Sequence, residues 1–283
     1  HASGLDNSDG GTVSSREGGL FIQLAGLLSN SKAGALVSRG PMDIMAEALD
    51  NSAQGIVSSE ADVQLALTGD LINADQGLIS SQGELQIQAQ DVDNQAGQVA
   101  GHSLQLNGRS LDNRGGQIVI DTTAQLILQQ AMDNSAGAQL VSGSDLTVQA
   151  GSIDNRSGRL ASEGSMTLAG GSLDNSEQGN VAANQQLDVE LNGALDNSSD
   201  GLIYSVANNL TIDAHSLRND GGTVQSQGDM RVNVSTELSN RDGTMLSVGS
   251  DLELQAGSLD NSEAGILNSV NGWLRAVVFG LFD

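Results

Sequence analysis

Nine aspartates stand in the middle of a recurring aliphatic-Asp-Asn triplet: Asp6, Asp50, Asp93, Asp112, Asp133, Asp154, Asp174, Asp196 and Asp260. If successive copies of the triplet stack, neighbouring carboxylates lie ~4.8 Å apart and repel by ~0.9 kcal/mol in water before screening. One chemistry for such a line is a hard cation bridging adjacent carboxylates, since calcium prefers carboxylate and carbonyl oxygen. The candidate calcium column is Asp133, Asp154, Asp174 and Asp196. The other reading has the acids facing water, keeping the chain soluble and accepting hydrogen bonds from amides at a corner. Full oxygen coordination is not evident, and the Gly and Asp spacing of a calcium-binding β-roll, about nine residues, is absent. The second reading is therefore preferred and no metal site is expected. Ile72 and Arg218 replace the acid in two copies, and Ser29 and Ser239 leave it neutral in two others. Arg218 relieves the negative line locally.

Catalytic constellations find little footing. The histidines are His1, His102 and His215, the last two in polar corners, AGHSL and DAHSL. Serine is abundant, but no Gly-x-Ser-x-Gly elbow leads from a strand into a helix. Paired acids of the kind that polysaccharide lyases and glycosidases gather on one face occur here at every copy and mark no cleft. The alternative of a carbohydrate-active enzyme needs an acidic groove with basic neighbours, and no enzyme activity is expected. Cysteine is absent, which removes disulfides and thiolate metal sites together. A net charge of −24, with Lys32 as the only lysine, argues against nucleic acid as a partner. No apolar run of about 18 residues suggests a transmembrane segment.

The elements that position these side chains follow from the repeat. The triplet's asparagines are Asn7, Asn30, Asn51, Asn73, Asn94, Asn113, Asn134, Asn155, Asn175, Asn197, Asn219, Asn240 and Asn261, thirteen copies 19 to 23 residues apart. Two residues before each Asn stands Leu in ten copies, with Val92, Met132 and Ile153 in the others, and Gly follows three or four residues after it every time. Next come a short strand-like segment, such as Ile56-Val57-Ser58-Ser59, a polar corner, and a second segment with strict alternation, such as Leu252-Glu253-Leu254-Gln255-Ala256. Period-two alternation reads as half-buried β-strand, and helical spacing is sustained nowhere. A unit of about 21 residues is too short for a propeller blade or a helical pair and lacks the Leu spacing of leucine-rich repeats, but it suits one rung of a parallel β-solenoid. The fold class is all-β, a parallel β-helix of about 13 coils. Inward Leu, Val, Ile, Met and Ala form axial stacks, which explains how a chain with 2% aromatics builds a core. Gly is read as supplying positive φ where the chain turns. Asn is read as tolerating the left-handed region while its amide bonds to the equivalent Asn one coil along. These asparagines are structural rather than cofactor-binding, and no cofactor is implied.

The units LDNSAQGIVSSEADVQLALTG (49–69) and SIDNRSGRLASEGSMTLAGG (152–171) resemble the repeats of the filamentous haemagglutinin family, the large bacterial exoproteins of two-partner secretion. The resemblance covers residues 5 to about 270, and its specificity lies in the tandem array rather than in any single copy. It implies a right-handed parallel β-helix and export through an outer-membrane partner pore. It further implies a secreted or surface location anchored at the bacterial outer membrane, and contact with a host or neighbouring cell through other domains. The family's Asn-Pro-rich secretion domain has no copy in a chain whose only proline is Pro41. The expected function is a shaft that holds an adhesive or effector domain away from the cell, the alternative within the family being the stalk of a contact-dependent growth inhibition effector.

Two regions follow: 1–270 as repeats, and 271–283 as an atypical apolar tail, read as a cap or a truncated segment, which holds Trp273, Phe279 and Phe282. The preference for solvent-facing, amide-bonded aspartates makes one prediction: added calcium leaves the melting temperature where an equal concentration of magnesium leaves it. A calcium-specific rise in thermal unfolding would restore the bridged column.

Overall fold

A computed structural model describes residues 2–282; His1 and Asp283 lie outside the described residues. The chain is an all-β parallel β-solenoid of about thirteen turns of roughly 21 residues, with no helix among the described residues. Each turn supplies one strand to each of three sheets. The first-sheet strand carries the aliphatic-Asp pair, the second follows the recurring glycine of the turn, and the third is the alternating segment. In the turn that starts at residue 48 these are Ala48–Asp50, Ile56–Ser59 and Val63–Leu67.

The contacts divide the chain into two compact units, His1–Asn134 with Ala138–Gly143, and Ser135–Gly137 with Ser144–Asp283. Within the first unit the strands of successive turns pair in parallel. Leu71 faces Leu49 on one side and Val92 on the other, Ile79 faces Val57 and Val99, and Ile87 faces Leu65 and Leu106. The second unit repeats the pattern: Leu195 lies between Leu173 and Leu217, Ile203 between Val181 and Val224, and Ile212 between Val189 and Val232. The last third-sheet strand, Leu274–Val278, pairs in register with Leu252–Ala256, while Trp273, Phe279, Leu281 and Phe282 stay largely exposed.

Stacking like on like explains the register. A slip of one residue would turn each strand's aliphatic set outward, and the inward set is almost completely removed from water: Leu49, Leu71, Val57 and Ile79 are at 0% exposure. A third inward column is polar. Ser59, Ser81, Ser205, Ser226 and Ser247 close the second-sheet strands and are buried. Their hydroxyls donate to carbonyls in the corner of the preceding turn, Ser59 to Gly40 O at 2.9 Å, Ser81 to Ala61 O at 2.8 Å and Ser247 to Gly228 O at 2.8 Å.

Positive φ is taken by glycine at some corners, Gly10, Gly115, Gly137 and Gly221, as the sequence suggests, but the glycine that closes most corners has a different reason. The positive φ angles fall on the residues before it, Ala53 at 49° and Gln54 at 69°, or Ser199 at 56° and Asp200 at 65°, and the ladder asparagines are not among the positive-φ residues. At Gly55 a Cβ would meet Asn30 O at 2.5 Å and Asn51 O at 2.6 Å; at Gly201 it would meet Asn175 O at 2.5 Å. Glycine is required at Gly55 and Gly201 by close approach of two turns, and at these corners the left-handed step is taken by ordinary residues. Their strain, about 1–2 kcal/mol each, is offset by bonds to the residue before their counterpart one turn on: Ala53 N to Ala74 O at 3.1 Å and Gln54 N to Asp75 O at 3.0 Å.

Leu195 is 1% exposed with an aliphatic neighbour above and below it in the same column. Leu195→Ala is expected to lower the unfolding free energy by ~2–5 kcal/mol, as for other buried leucines, read from chemical denaturation; a loss under ~1 kcal/mol would mean that the column is not close-packed.

Candidate functional site

The asparagine corner joins the first sheet to the second, and it concentrates most of the polar structure of each turn. The aliphatic residue two places earlier points inward, so the asparagine does too, and its amide leaves solvent: Asn30, Asn51, Asn73, Asn94 and Asn113 in the first unit, and Asn155, Asn175, Asn197, Asn219 and Asn240 in the second, are at 0% exposure. A buried amide needs both a donor and an acceptor. Each finds them in its own kind. Asn7 Nδ2 donates to Asn30 Oδ1 at 2.7 Å, Asn30 to Asn51 at 2.7 Å, Asn51 to Asn73 at 2.7 Å, Asn73 to Asn94 at 2.7 Å, Asn94 to Asn113 at 2.7 Å and Asn113 to Asn134 at 2.8 Å. A second run goes from Asn155 through Asn175, Asn197, Asn219 and Asn240 to Asn261 at 2.7–2.8 Å. The same amides reach backbone carbonyls across the corner, as Asn51 Nδ2 does to Gly55 O and Leu78 O, both at 3.1 Å.

The aspartate column lies beside the ladder on the solvent side. Its carboxylates accept from the backbone N–H two residues on, as at Asp6, Asp50, Asp93, Asp112, Asp154, Asp174, Asp196 and Asp260, at 2.9–3.1 Å. This bond holds the start of the left-handed corner, the usual role of an Asp in an Asx-turn. Neighbouring arginines then spread positive charge between turns. Arg114 bonds Asp112 at 2.6 Å and lies 3.6 Å from Asp133; Arg156 bonds Asp154 at 2.6 Å and lies 3.6 Å from Asp174; Arg218 lies 3.8 Å from Asp196. All four aspartates of the candidate calcium column therefore have a guanidinium within reach. Among the described residues no group of three or more His, Cys, Asp or Glu side chains could hold a metal ion. The sequence pattern showed the acids but not this compensation, because Arg114 and Arg156 sit two places after the Asp, at a position that is mostly Ser.

One corner reverses the order of charge. Where other turns read Asp-Asn-Ser or Asp-Asn-Arg, this one reads Arg218-Asn219-Asp220. Asp220 is nearly buried, its side chain 13% exposed. It accepts from Ser239 Oγ at 2.5 Å, Arg241 N at 3.1 Å, an Arg241 guanidinium nitrogen at 2.9 Å and Arg218 Nε at 3.0 Å. Burial pushes the carboxyl up, but the bonds from Arg241, Ser239 and Arg218 outweigh it and hold the group well below the usual carboxylate range. Arg241 also lies 3.7 Å from Asp260, so the swap is linked onward to the next acid of the ordinary column. The corner opens on a shallow cavity of about 380 Å³ lined by Asp196, Arg218, Asp220, Glu237, Ser239 and Arg241 among others. The carboxylate at its centre is saturated with donors, which suits it to holding turns together rather than to proton transfer.

The histidines sit apart from this corner. His102 is exposed, and the exposed His215 makes a 3.1 Å contact from Nδ1 to Ser235 Oγ, which also lies 3.2 Å from His215 O. His1 lies outside the described residues. The inward serine column is the polar feature that sequence reasoning missed. Its signal was present in the Ser closing segments such as GIVSS and GLISS, but the residue was read as the end of the strand-like segment, with no partner assigned to its hydroxyl.

Two outcomes are expected. Asn197→Ala removes the acceptor of Asn175 Nδ2 and the donor to Asn219, leaving buried amide groups unpaired, and should cost ~2–4 kcal/mol in equilibrium unfolding. Asp220 has a depressed folded pKa, so its contribution is fully present above the ordinary carboxylate pKa and is lost as the pH falls below about 4 towards the folded value. Asp220→Asn should then be less stable than the parent at neutral pH, with the gap closing as the pH is lowered through 4 to 2 in parallel melts; a gap independent of pH would contradict the ion-paired corner.

A family model described as the haemagglutinin repeat matches residues 1–75, 69–136, 128–199, 191–242 and 231–272. No curated protein and no solved structure matched the chain. The matched ranges run through the asparagine corners of both units and end within the last turn, and the family and fold are of the structural adhesin-repeat type rather than of a known enzyme family. The chain belongs to the filamentous haemagglutinin repeat family.

Proposed function

We propose that this chain is a segment of the shaft of a large secreted surface exoprotein, holding an adhesive or effector domain away from the cell that makes it. One observation carries the reading: the strongest polar constellation of the molecule, the asparagine ladder, is buried and fully engaged in joining each turn to the next. Its chemistry is mechanical. Backbone ladders along three sheets and an amide ladder at one corner resist separation of the turns, and the acidic exterior keeps the array soluble.

Proteins of this repeat family are secreted surface proteins, which supports a secreted or surface location. The finer reading is export through an outer-membrane pore of a two-partner system, with anchoring at the bacterial outer membrane. The absence of cysteine is compatible with such passage, since no disulfide has to be undone. Turn-by-turn folding on the far side could draw the chain outward.

The first experiment is to sequence the native polypeptide through both ends of this segment. An upstream secretion domain with an adhesive module beyond the repeats is the expected arrangement. A toxin domain downstream with a neighbouring immunity protein would make the segment the stalk of a growth inhibition effector, and a catalytic domain fused in place of either would overturn the shaft reading. In the exported protein, deleting residues 175–196, one whole turn from Asn175 to the residue before Asn197, should preserve secretion and surface display, whereas deleting 175–185 should abolish both. Equal tolerance of the two deletions, scored by surface accessibility of a downstream tag, would remove the turn as the unit of function.

A further inference from the structure

The charge of this molecule is not spread evenly over its faces. Among the strand residues, twelve charged side chains belong to the first sheet and eight to the third, but only Arg159 belongs to the second. In the first unit the seven second-sheet strands, TVSS, ALVS, IVSS, LISS, QVAG, QIVI and QLVS, contain no charge at all. Their outward positions form a neutral surface, small and aliphatic apart from Gln98, Gln117 and Gln139. Val37 pairs with Ser58, Ser58 with Ser80, Ser80 with Ala100, and Ala100 with Val119, one residue per turn. Val37, Ile56 and Val119 are 39%, 36% and 44% exposed.

We propose that the outer face of the second sheet in the first unit is a lateral self-association surface that takes a second copy of this chain. The argument for that occupant is electrostatic. The chain carries −24, so almost any contact between two copies brings acid against acid. The neutral sheet face is the surface on which two copies meet without that cost, and a two-fold arrangement places it against itself with the acidic corners turned away. A basic partner would be drawn instead to the aspartate corner. One outward column also fits: Ser, Ala and Val repeating every ~4.8 Å on both copies allow close approach of two sheets along it. Seven four-residue strands give ~450 Å² per copy, or ~900 Å² in all, below the ~1,200 Å² of a stable standard interface. The association is thus weak and reversible for this segment, and it strengthens with each further turn that continues the neutral face.

The sign of the salt dependence tests it. Sedimentation of the full chain should show monomer at low ionic strength and a rising dimer fraction near 0.5 M salt, where the Debye length falls to ~4 Å and the acidic faces no longer repel. The double variant Ser80→Glu with Val119→Glu should weaken association at high salt at least tenfold, whereas Gln86→Glu with Gln105→Glu, which adds the same charge to the third sheet, should leave it near the parent level. Because the chain has no cysteine, Ala100→Cys offers a check that does not depend on acid substitutions: it should form an interchain disulfide under oxidation in high salt, and Gln105→Cys should not. Monomer at every salt concentration, equal association of the two double variants, or equal cross-linking of the two cysteine variants would overturn the proposal.

Discussion

A side-chain amide withdrawn from water must find a donor and an acceptor, and the architecture of this chain follows from where those partners are. Each ladder asparagine of a run meets the same residue one turn later, so every turn has to bring its corner to the same place at the same height. That requirement fixes the corner more tightly than the rest of the turn. Spacings of 19 to 23 residues between asparagines are accommodated elsewhere along the turn while the amide bonds stay at 2.7–2.8 Å. The glycine that admits the adjacent carbonyl and the aspartate that starts the corner are consequences of the same requirement.

This organisation bears on function through what it uses up. Polar groups that do chemistry need spare valence: a lone pair facing a cleft, or a proton held away from its natural base. Here the asparagines are spent on one another, most of the aspartates on corner amides and arginines, and the inward serines on carbonyls. Asp220, the most strongly perturbed carboxylate, is also among the most heavily bonded. Such perturbation is sometimes a sign of catalysis, but a group that accepts four hydrogen bonds is held as an anion and anchored.

Much of this was legible in the sequence, because a repeat tests each inference thirteen times over. The strands, the inward aliphatics and the pairing of amide with amide followed from spacing alone. The reason for the glycine did not: which residue takes positive φ and which must lack a Cβ depends on the distance to the next turn, a quantity no single turn contains. Arg114 and Arg156 were passed over for the same cause, since their second aspartate belongs to another turn. The neutral face stayed hidden until strands well separated in sequence were seen to share it. A periodic chain shows what each turn is made of more readily than what turns do to each other.

The amide ladder also has a direction. In the sheets, inter-turn bonds run both ways, forward as in Leu49 N to Asp70 O and backward as in Leu78 N to Gly55 O, so their dipoles largely cancel. At the asparagine corner they do not: Asn51 Nδ2, Asn51 N, Ala53 N and Gln54 N all donate toward the later turn. Head-to-tail alignment of peptide-like groups sums as it does along a helix, leaving the early end of each run electronegative and the late end electropositive. The two ends of a run are therefore not equivalent surfaces for growth. A turn arriving at the late end meets aligned donors awaiting carbonyls, which gives addition of turns along the chain a built-in polarity.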